Sequence, residues 1–206
     1  MEDKKLIIFD FDGVFINTLD MTYKINRDTN NNLSWEEYKS FSEVNFFEGW
    51  EKAKKEKGYI TPEQYHEKYE RGILEYTIED ILYDTVLYLV DKYILTIVTS
   101  SNGYAVKNFM EKENLVECFT DILGTDFHKS KEYKIKFLLE KYNLFPQKAI
   151  FVTDTLGDVL EARVCGVWQI AETWGLHKRD VLIRGEPTEI IDDPIDLIKT
   201  IEKILE

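Results

Sequence analysis

Two apolar runs that each end in a pair of aspartates constrain this chain more than any other feature. Leu6-Ile7-Ile8-Phe9 leads into Asp10 and Asp12, and Ala149-Ile150-Phe151-Val152-Thr153 leads into Asp154 and Asp158. Apolar runs of this length read as strands buried on both faces, as in a parallel sheet. Strand side chains alternate with a period of two, so Asp10 and Asp12 are expected to leave the first strand on the same side. In open α/β sheets ligands bind in the crevice beyond the carboxyl ends of the strands, and Gly13 permits a sharp turn out of that crevice. Either pair alone would serve as well to cap a turn or a helix. Two pairs at two strand ends place like charges that need an opposing one. An all-oxygen donor set suits a hard divalent cation, most naturally Mg²⁺.

Elements alternate through the C-terminal two thirds. Strands are expected at Ile94–Thr99, Phe119–Leu123, Ala149–Thr153 and Val167–Ala171, and helices at Tyr104–Asn114, Glu132–Tyr142 and Gly157–Cys165. This alternation predicts an α/β fold, a doubly wound and mostly parallel sheet with helices on both faces. The segment from Asp193 to Leu205 repeats Ile195, Leu197, Ile198, Ile201, Ile204 and Leu205 at helical spacing and reads as a last helix. From about Thr18 to Ile81 the alternation breaks. Ser34-Trp35-Glu36-Glu37 and Thr61-Pro62-Glu63-Gln64 both match a capping box, the second with proline at the first helical position. No β-branched alternating run occurs there, so four or five helices without a strand are expected. The domain reading is therefore a core of residues 1–17 and 82–206 with an all-helical cap, residues 18–81, inserted over the crevice as a lid. Trp35, Tyr38, Phe41, Phe46, Phe47 and Trp50 read as the interior of that cap.

Composition narrows the class of partner. The 206 residues carry a net charge of −13, which leaves no basic excess to meet a nucleic-acid backbone. No apolar stretch reaches membrane-spanning length, and Met1-Glu2-Asp3-Lys4-Lys5 has none of the character of a signal peptide. Cys118 and Cys165 have no partner at motif spacing and read as free thiols of a reducing, cytoplasmic compartment. His66, His128 and His177 show no metal-ligand spacing and read as surface or loop residues.

DFDGVFINT, IVTSSNG, a lysine ahead of a helix, and VTDTLGD together resemble the four motifs of the haloacid dehalogenase-like superfamily. The helical insert lies where phosphoglycolate-phosphatase-like members carry their cap, and the closing WGLHKRDVL and PTEIIDDPIDLI are similar to the tail of those members. The resemblance implies a Rossmann-like core. It makes Asp10 the nucleophile that forms an aspartyl-phosphate, and Asp12 the general acid and base whose backbone carbonyl helps to hold Mg²⁺. Thr99, with Ser100 beside it, binds the phosphoryl group, and a lysine offsets its charge. Asp154 and Asp158 complete a metal site with Asp10 and Asp12. Lys131, directly before its helix, fits the lysine position better than Lys129, and Lys134 and Lys136 read as a solvated helix face. Two departures from the family pattern are Thr153, where glycine often precedes the metal aspartate, and Asn17, where aspartate often closes the first motif.

Elementary chemistry agrees with these roles. A carboxylate nucleophile splits phosphoryl transfer into two easier steps, and a phosphoryl group needs cationic and N–H stabilisation of its oxygens. An alkoxide leaving group needs a proton, which Asp12 can supply. Dehalogenase-like and phosphonate-cleaving members lack a carboxylate at that position, so Asp12 points to phosphate monoesters. The expectation is a Mg²⁺-dependent phosphatase acting on a small phosphorylated metabolite. The alternatives are a sugar-phosphate phosphomutase and a catalytically idle binding module. Lys52, Lys54, Lys55 and Arg71 are the cap cations that would meet an anionic substrate tail.

Overall fold

The computed structural model describes residues 5–28, 33–49 and 62–206. Six strands form one parallel sheet: β1 (Leu6–Phe9), β2 (Ile94–Val98), β3 (Asp121–Leu123), β4 (Ala149–Thr153), β5 (Trp168–Glu172) and β6 (Glu189–Ile191), in the spatial order β3-β2-β1-β4-β5-β6. β1 is central, with Phe9 in register with Ile97 on one side and Val152 on the other. The strand order therefore reverses beside β1, and Asp10 and Asp154 leave adjacent strands at that reversal, where such sheets bind ligands. The doubly wound parallel fold expected from the alternation is what the chain adopts.

The alternation of β1 divides the interior. Ile7 and Phe9 face a cluster with Val86, Leu89, Phe109 and Ile201, supplied by α4 (Asp80–Val90), α5 (Gly103–Lys112) and α9 (Leu197–Leu205). Leu6 and Ile8 face Ile135, Leu138 and Ala162, from α6 (Lys131–Tyr142) and α7 (Leu156–Val164). A strand with both faces covered reads as a near-continuous apolar run, as LIIF does in β1. In α9 the buried Leu197, Ile201 and Leu205 lie four residues apart on one face.

Among the described residues, three helices stand between β1 and α4: α1 (Leu19–Arg27), α2 (Trp35–Ser40) and α3 (Pro62–Ile73), with a helical turn at 46–49. No strand occurs there among the described residues. Ser34 caps α2 by accepting the Glu37 N–H at 3.1 Å, as its capping box predicts; Thr61 and Trp50 lie outside the described residues. Tyr38 and Phe41 are buried together with Leu33, against Tyr23, Trp35 and Phe46.

The sequence missed two elements of the core. The last strand, β6, is three residues long and pairs only with β5 at the sheet edge, too short for a period to show. Helix α4, for which the sequence reading named no element, buries Leu82, Thr85, Val86 and Leu89 at helical spacing. A short helix α8 (Arg179–Leu182) also falls in the closing segment.

Candidate active site

The site sits on strand ends and helix starts. Asp10 follows β1, and its N–H bonds Val152 O on β4 at 2.9 Å. Asp154 and Asp158 lie between β4 and the first turn of α7, which Thr155 caps. Lys131 is the first residue of α6, capped by Ser130 through the Tyr133 N–H. Four residues from three segments are thereby driven into one small volume. Each is more than nine-tenths buried.

Lys131 Nζ donates to Asp10 Oδ2 at 2.6 Å and to Asp158 Oδ2 at 2.7 Å. Lys129, the other candidate, is exposed at the rim, with its ammonium 5.5 Å from the Phe47 ring centroid. Thr153 Oγ1 donates to Asp158 Oδ2 at 2.9 Å, so the residue that departs from the family's glycine supports a site carboxylate. Asn17, the other departure, accepts the Leu19 N–H at 3.3 Å and helps to start α1.

Asp10, Asp154 and Asp158 each offer an oxygen within 4.8 Å of the others. Asp154 Oδ2 accepts the Leu176 N–H at 2.8 Å, while its Oδ1 is buried with no hydrogen-bond partner among the described residues. An orphaned carboxylate oxygen facing two further carboxylates, with oxygen donors only, fits a hard divalent cation such as Mg²⁺. Gly13 keeps this space open. Its φ is +86°, and a Cβ there would lie 1.9 Å from Asp154 Oδ2, so neither the backbone nor the room admits a side chain.

The electrostatics follow from crowding. Burial pushes Asp10 well above the usual carboxylate range; Lys131 opposes this, and Asp158 and Asp154 add to it. Burial likewise raises Asp154, to about 7, against the Leu176 N–H that favours its charge. Burial acts on Asp158 in the same direction, but Lys131 and the bonds the carboxylate accepts outweigh it and hold it below the ordinary value. Burial also works against the charge of Lys131, yet Asp10 and Asp158 keep it above the ordinary lysine value. One lysine cannot offset three carboxylates, and a divalent cation would complete the balance.

Asp12 shares the cavity with Asp10, but its carboxylate turns away from the acidic cluster. Thr18 Oγ1 donates to its Oδ1 at 2.6 Å, Ser101 Oγ to its Oδ2 at 2.6 Å, and Tyr69 Oη lies 2.8 Å and 2.9 Å from the two oxygens. Thr99 lies beneath the cavity wall. It is fully buried, and its hydroxyl accepts the Ser101 N–H at 2.9 Å; Ser100, Ser101 and Asn102 are the residues that reach the cavity.

Three sequence expectations need correction. Lys134 is not on a solvated face: it is fully buried, and its ammonium donates to Thr99 O at 2.6 Å and Gly124 O at 3.4 Å. Its position three residues after Lys131, on the same helix face, was the available signal. Burial and the neighbouring Lys131 lower Lys134 to about 7. His177 is likewise buried rather than at the surface; its Nδ1 accepts the Leu156 N–H at 3.0 Å, and burial lowers its pKa. The aromatic residues of the insert are more than its interior, because Tyr38, Phe46 and Phe47 also line the cavity above Asp10 and Asp12. Of the cap cations, Arg71 is exposed and paired with Glu67 at 2.9 Å, and Lys52, Lys54 and Lys55 lie outside the described residues. Tyr69 and Ser101 were missed, since no local pattern ties either to Asp12.

A parallel sheet with a lysine-bridged acidic cluster at its switch point, walled by inserted helices, defines a class of α/β proteins that the comparisons identify. Residues 7–171 match the haloacid dehalogenase-like hydrolase family, and the chain belongs to it. The phosphoglycolate phosphatase of Vibrio cholerae is 26% identical over 112 residues, which cover 53% of this chain and 50% of that protein. The chain thus spans about half the length of the curated relatives it matches. Among solved structures, a hydrolase from Pseudomonas syringae superposes with a TM-score of 0.80 at 18% identity, covering 98% of this chain and 100% of the other. CbbY from Rhodobacter sphaeroides, solved in complex with phosphate, gives a TM-score of 0.76 at 15% identity, with 94% and 96% covered. Likeness at these identities is one of fold. No helix among the described residues is long and apolar enough to cross a membrane.

Proposed function

We propose that this protein hydrolyses a small phosphate monoester through an aspartyl-phosphate on Asp10, with residues 18–81 acting as a helical cap over the core formed by 1–17 and 82–206. The observation that carries this reading is the Lys131 ammonium held between Asp10 and Asp158 beside the orphaned oxygen of Asp154. That arrangement keeps a nucleophilic carboxylate, a fixed cation and a vacant oxygen ligand within one cavity of about 340 Å³. The curated relatives named as phosphoglycolate phosphatases support the same chemistry.

In the first step the Asp10 carboxylate attacks phosphorus, and the bond from phosphorus to the ester oxygen breaks. Asp12 gives its proton to the departing alkoxide. In the second step water attacks the phosphoryl group and passes a proton to Asp12, and the acyl-phosphate bond breaks to release inorganic phosphate and restore Asp10. Lys131 holds Asp10 in place and offsets charge on the phosphoryl oxygens. The hydroxyls and N–H groups of Ser100 and Ser101 lie at the wall where those oxygens arrive, and Thr99 fixes that loop from below. Asp10, Asp154, Asp158 and the carbonyl of Asp12 would hold Mg²⁺, which supplies Lewis-acid stabilisation of the transferring group. The cap excludes water from the first step. The free thiols Cys118 and Cys165 suit a reducing compartment such as the cytoplasm.

Hydrolysis of p-nitrophenyl phosphate with Mg²⁺ by the intact chain and by Asp10→Asn tests the reading. The amide keeps size and loses nucleophilicity, so turnover is expected to vanish while the fold persists. Substantial turnover by Asp10→Asn would overturn it.

A further inference from the structure

We infer that the leaving alcohol of the substrate carries an uncharged planar heteroaromatic ring, as in a nucleoside 5′-monophosphate, rather than a short hydroxy acid; the inference rests on the phosphatase reading above. The cavity volume of about 340 Å³ is the first observation. Pockets of that order enclose molecules far larger than the carboxymethyl group that phosphoglycolate adds to its phosphate.

The second observation is what the walls are made of. Opposite the reacting carboxylates, the insert contributes Tyr38, Phe46, Phe47 and Tyr65. Their flat faces suit stacking on a ring, and Tyr65 is itself held by Tyr69, with centroids 6.0 Å apart and planes 15° from parallel. Such a wall offers a second carboxylate no compensating charge or hydrogen bond.

The third observation is where charge lies. No lysine or arginine of the insert lines the cavity among the described residues. Beyond the reacting groups, its titratable side chains other than tyrosine are Asp126 and Lys129, both exposed at the rim and of opposite sign, and the half-buried imidazole of His66 from the insert. Neutral polar groups complete the lining, and Asn102, whose side-chain oxygen caps α5 by accepting the Tyr104 and Ala105 N–H groups, has its amide N–H groups to donate to ring nitrogens or carbonyl oxygens. Among the described residues, an uncharged ring therefore meets the aromatic wall of the cavity better than a glycolate does.

Initial-rate kinetics on nucleoside 5′-monophosphates, pyridoxal 5′-phosphate, phosphoglycolate, glycerol 3-phosphate and p-nitrophenyl phosphate test this with the full chain and Mg²⁺. The expected result is a kcat/KM for at least one nucleotide or other heteroaryl ester about tenfold or more above phosphoglycolate, within the range that aromatic stacking supplies. The ratio of ring ester to phosphoglycolate is expected to fall about fivefold or more in Phe47→Ala, the loss of one stacking face. Should that variant not fold, inhibition of p-nitrophenyl phosphate hydrolysis in the unmodified protein replaces it: free nucleosides compete and glycolate does not. Phosphoglycolate or glycerol 3-phosphate equalling the best ring ester, or glycolate competing as well as nucleosides, would overturn the inference and leave the phosphatase reading standing. No turnover of any ester, p-nitrophenyl phosphate included, would instead overturn the phosphatase reading.

Discussion

Tyr69 brings its hydroxyl to 2.8 Å and 2.9 Å from the two carboxylate oxygens of Asp12, across 57 positions of chain. One side chain comes from the inserted helices and the other from the core strand end. The segment between β1 and α4 therefore touches the group assigned to proton transfer as well as lining the cavity beside it. With Thr18 and Ser101 it fixes where the Asp12 carboxylate points.

Tyr69→Phe removes that donor and keeps the buried ring. Thr18 and Ser101 still hold Asp12, so the loss is partial: about tenfold in kcat on an alkyl phosphate, the order of one hydrogen bond. An activated aryl ester needs no proton to leave and is expected to lose less in its phosphorylation step. Single-turnover rates on both esters check this. Equal losses would show that Tyr69 only shapes the cavity.

Asp154 has one oxygen satisfied by Leu176 and one without a partner. Asp154→Asn is expected to raise the Mg²⁺ concentration for half-maximal activity at least about tenfold, with activity partly recovered at high metal. Asp158→Asn acts differently, because it removes a partner of Lys131 and Thr153. The Mg²⁺-dependent rise in melting temperature gives a readout apart from turnover. An unchanged metal dependence in Asp154→Asn would remove this carboxylate from the metal site.

Proton uptake on folding sets the pH dependence in chelator. Burial foremost raises Asp154 to about 7 and Glu172 to about 9. Asp10 is raised too, again chiefly by burial. A carboxyl whose folded pKa lies above its unfolded value stabilises most below the unfolded value, and that stability is lost as pH rises through the folded value. Between pH 5 and 7 the unfolded carboxyls are ionised while those of Asp154 and Glu172 still hold protons. Stability without metal is therefore expected to fall across that window, by about 1.4 kcal/mol per pH unit for each proton retained. Lys134, lowered to about 7, is protonated in both states through most of the window, and His177, lowered by burial, opposes at most one of the retained protons. Saturating Mg²⁺ favours the ionised carboxylates and is expected to flatten the slope. Urea unfolding at pH 5, 6 and 7, with EDTA and with Mg²⁺, measures it. Stability rising with pH in EDTA would contradict the crowding of these groups.

The legible part of this protein was the part written as local pattern. LIIF and AIFVT announce central strands because both faces are buried, and the aspartates that follow announce the crevice because charge has nowhere else to go on such a strand. Ser34 caps α2 from the position its capping box marks, where its side chain satisfies an orphan N–H group. What escaped the sequence depends on contacts between distant segments. Lys134 looks like its neighbour Lys136, yet one is buried on Thr99 and Gly124 carbonyls and the other exposed beside Glu132. Only the packing of α6 on the sheet separates them. Glu172 ends β5 inside the protein, accepting the Trp174 and Gly175 N–H groups and so supporting the loop that carries the Leu176 N–H to Asp154. Nothing in its neighbourhood marks it as different from a surface glutamate. Tyr69 and Ser101 meet Asp12 for the same reason, through tertiary placement alone.

The central claim is that phosphorus is bonded to Asp10 between two half-reactions that share Asp12. Rapid quenching of Asp12→Ala after mixing with p-nitrophenyl phosphate and Mg²⁺ tests it most directly, because the aryl group leaves unaided while water attack lacks its base. The account predicts a burst of p-nitrophenol and a phosphoryl adduct, found by mass spectrometry on the peptide that contains Asp10 and lost when Asp10→Asn is added to the variant. A burst with no adduct, or an adduct on any other residue, would contradict it.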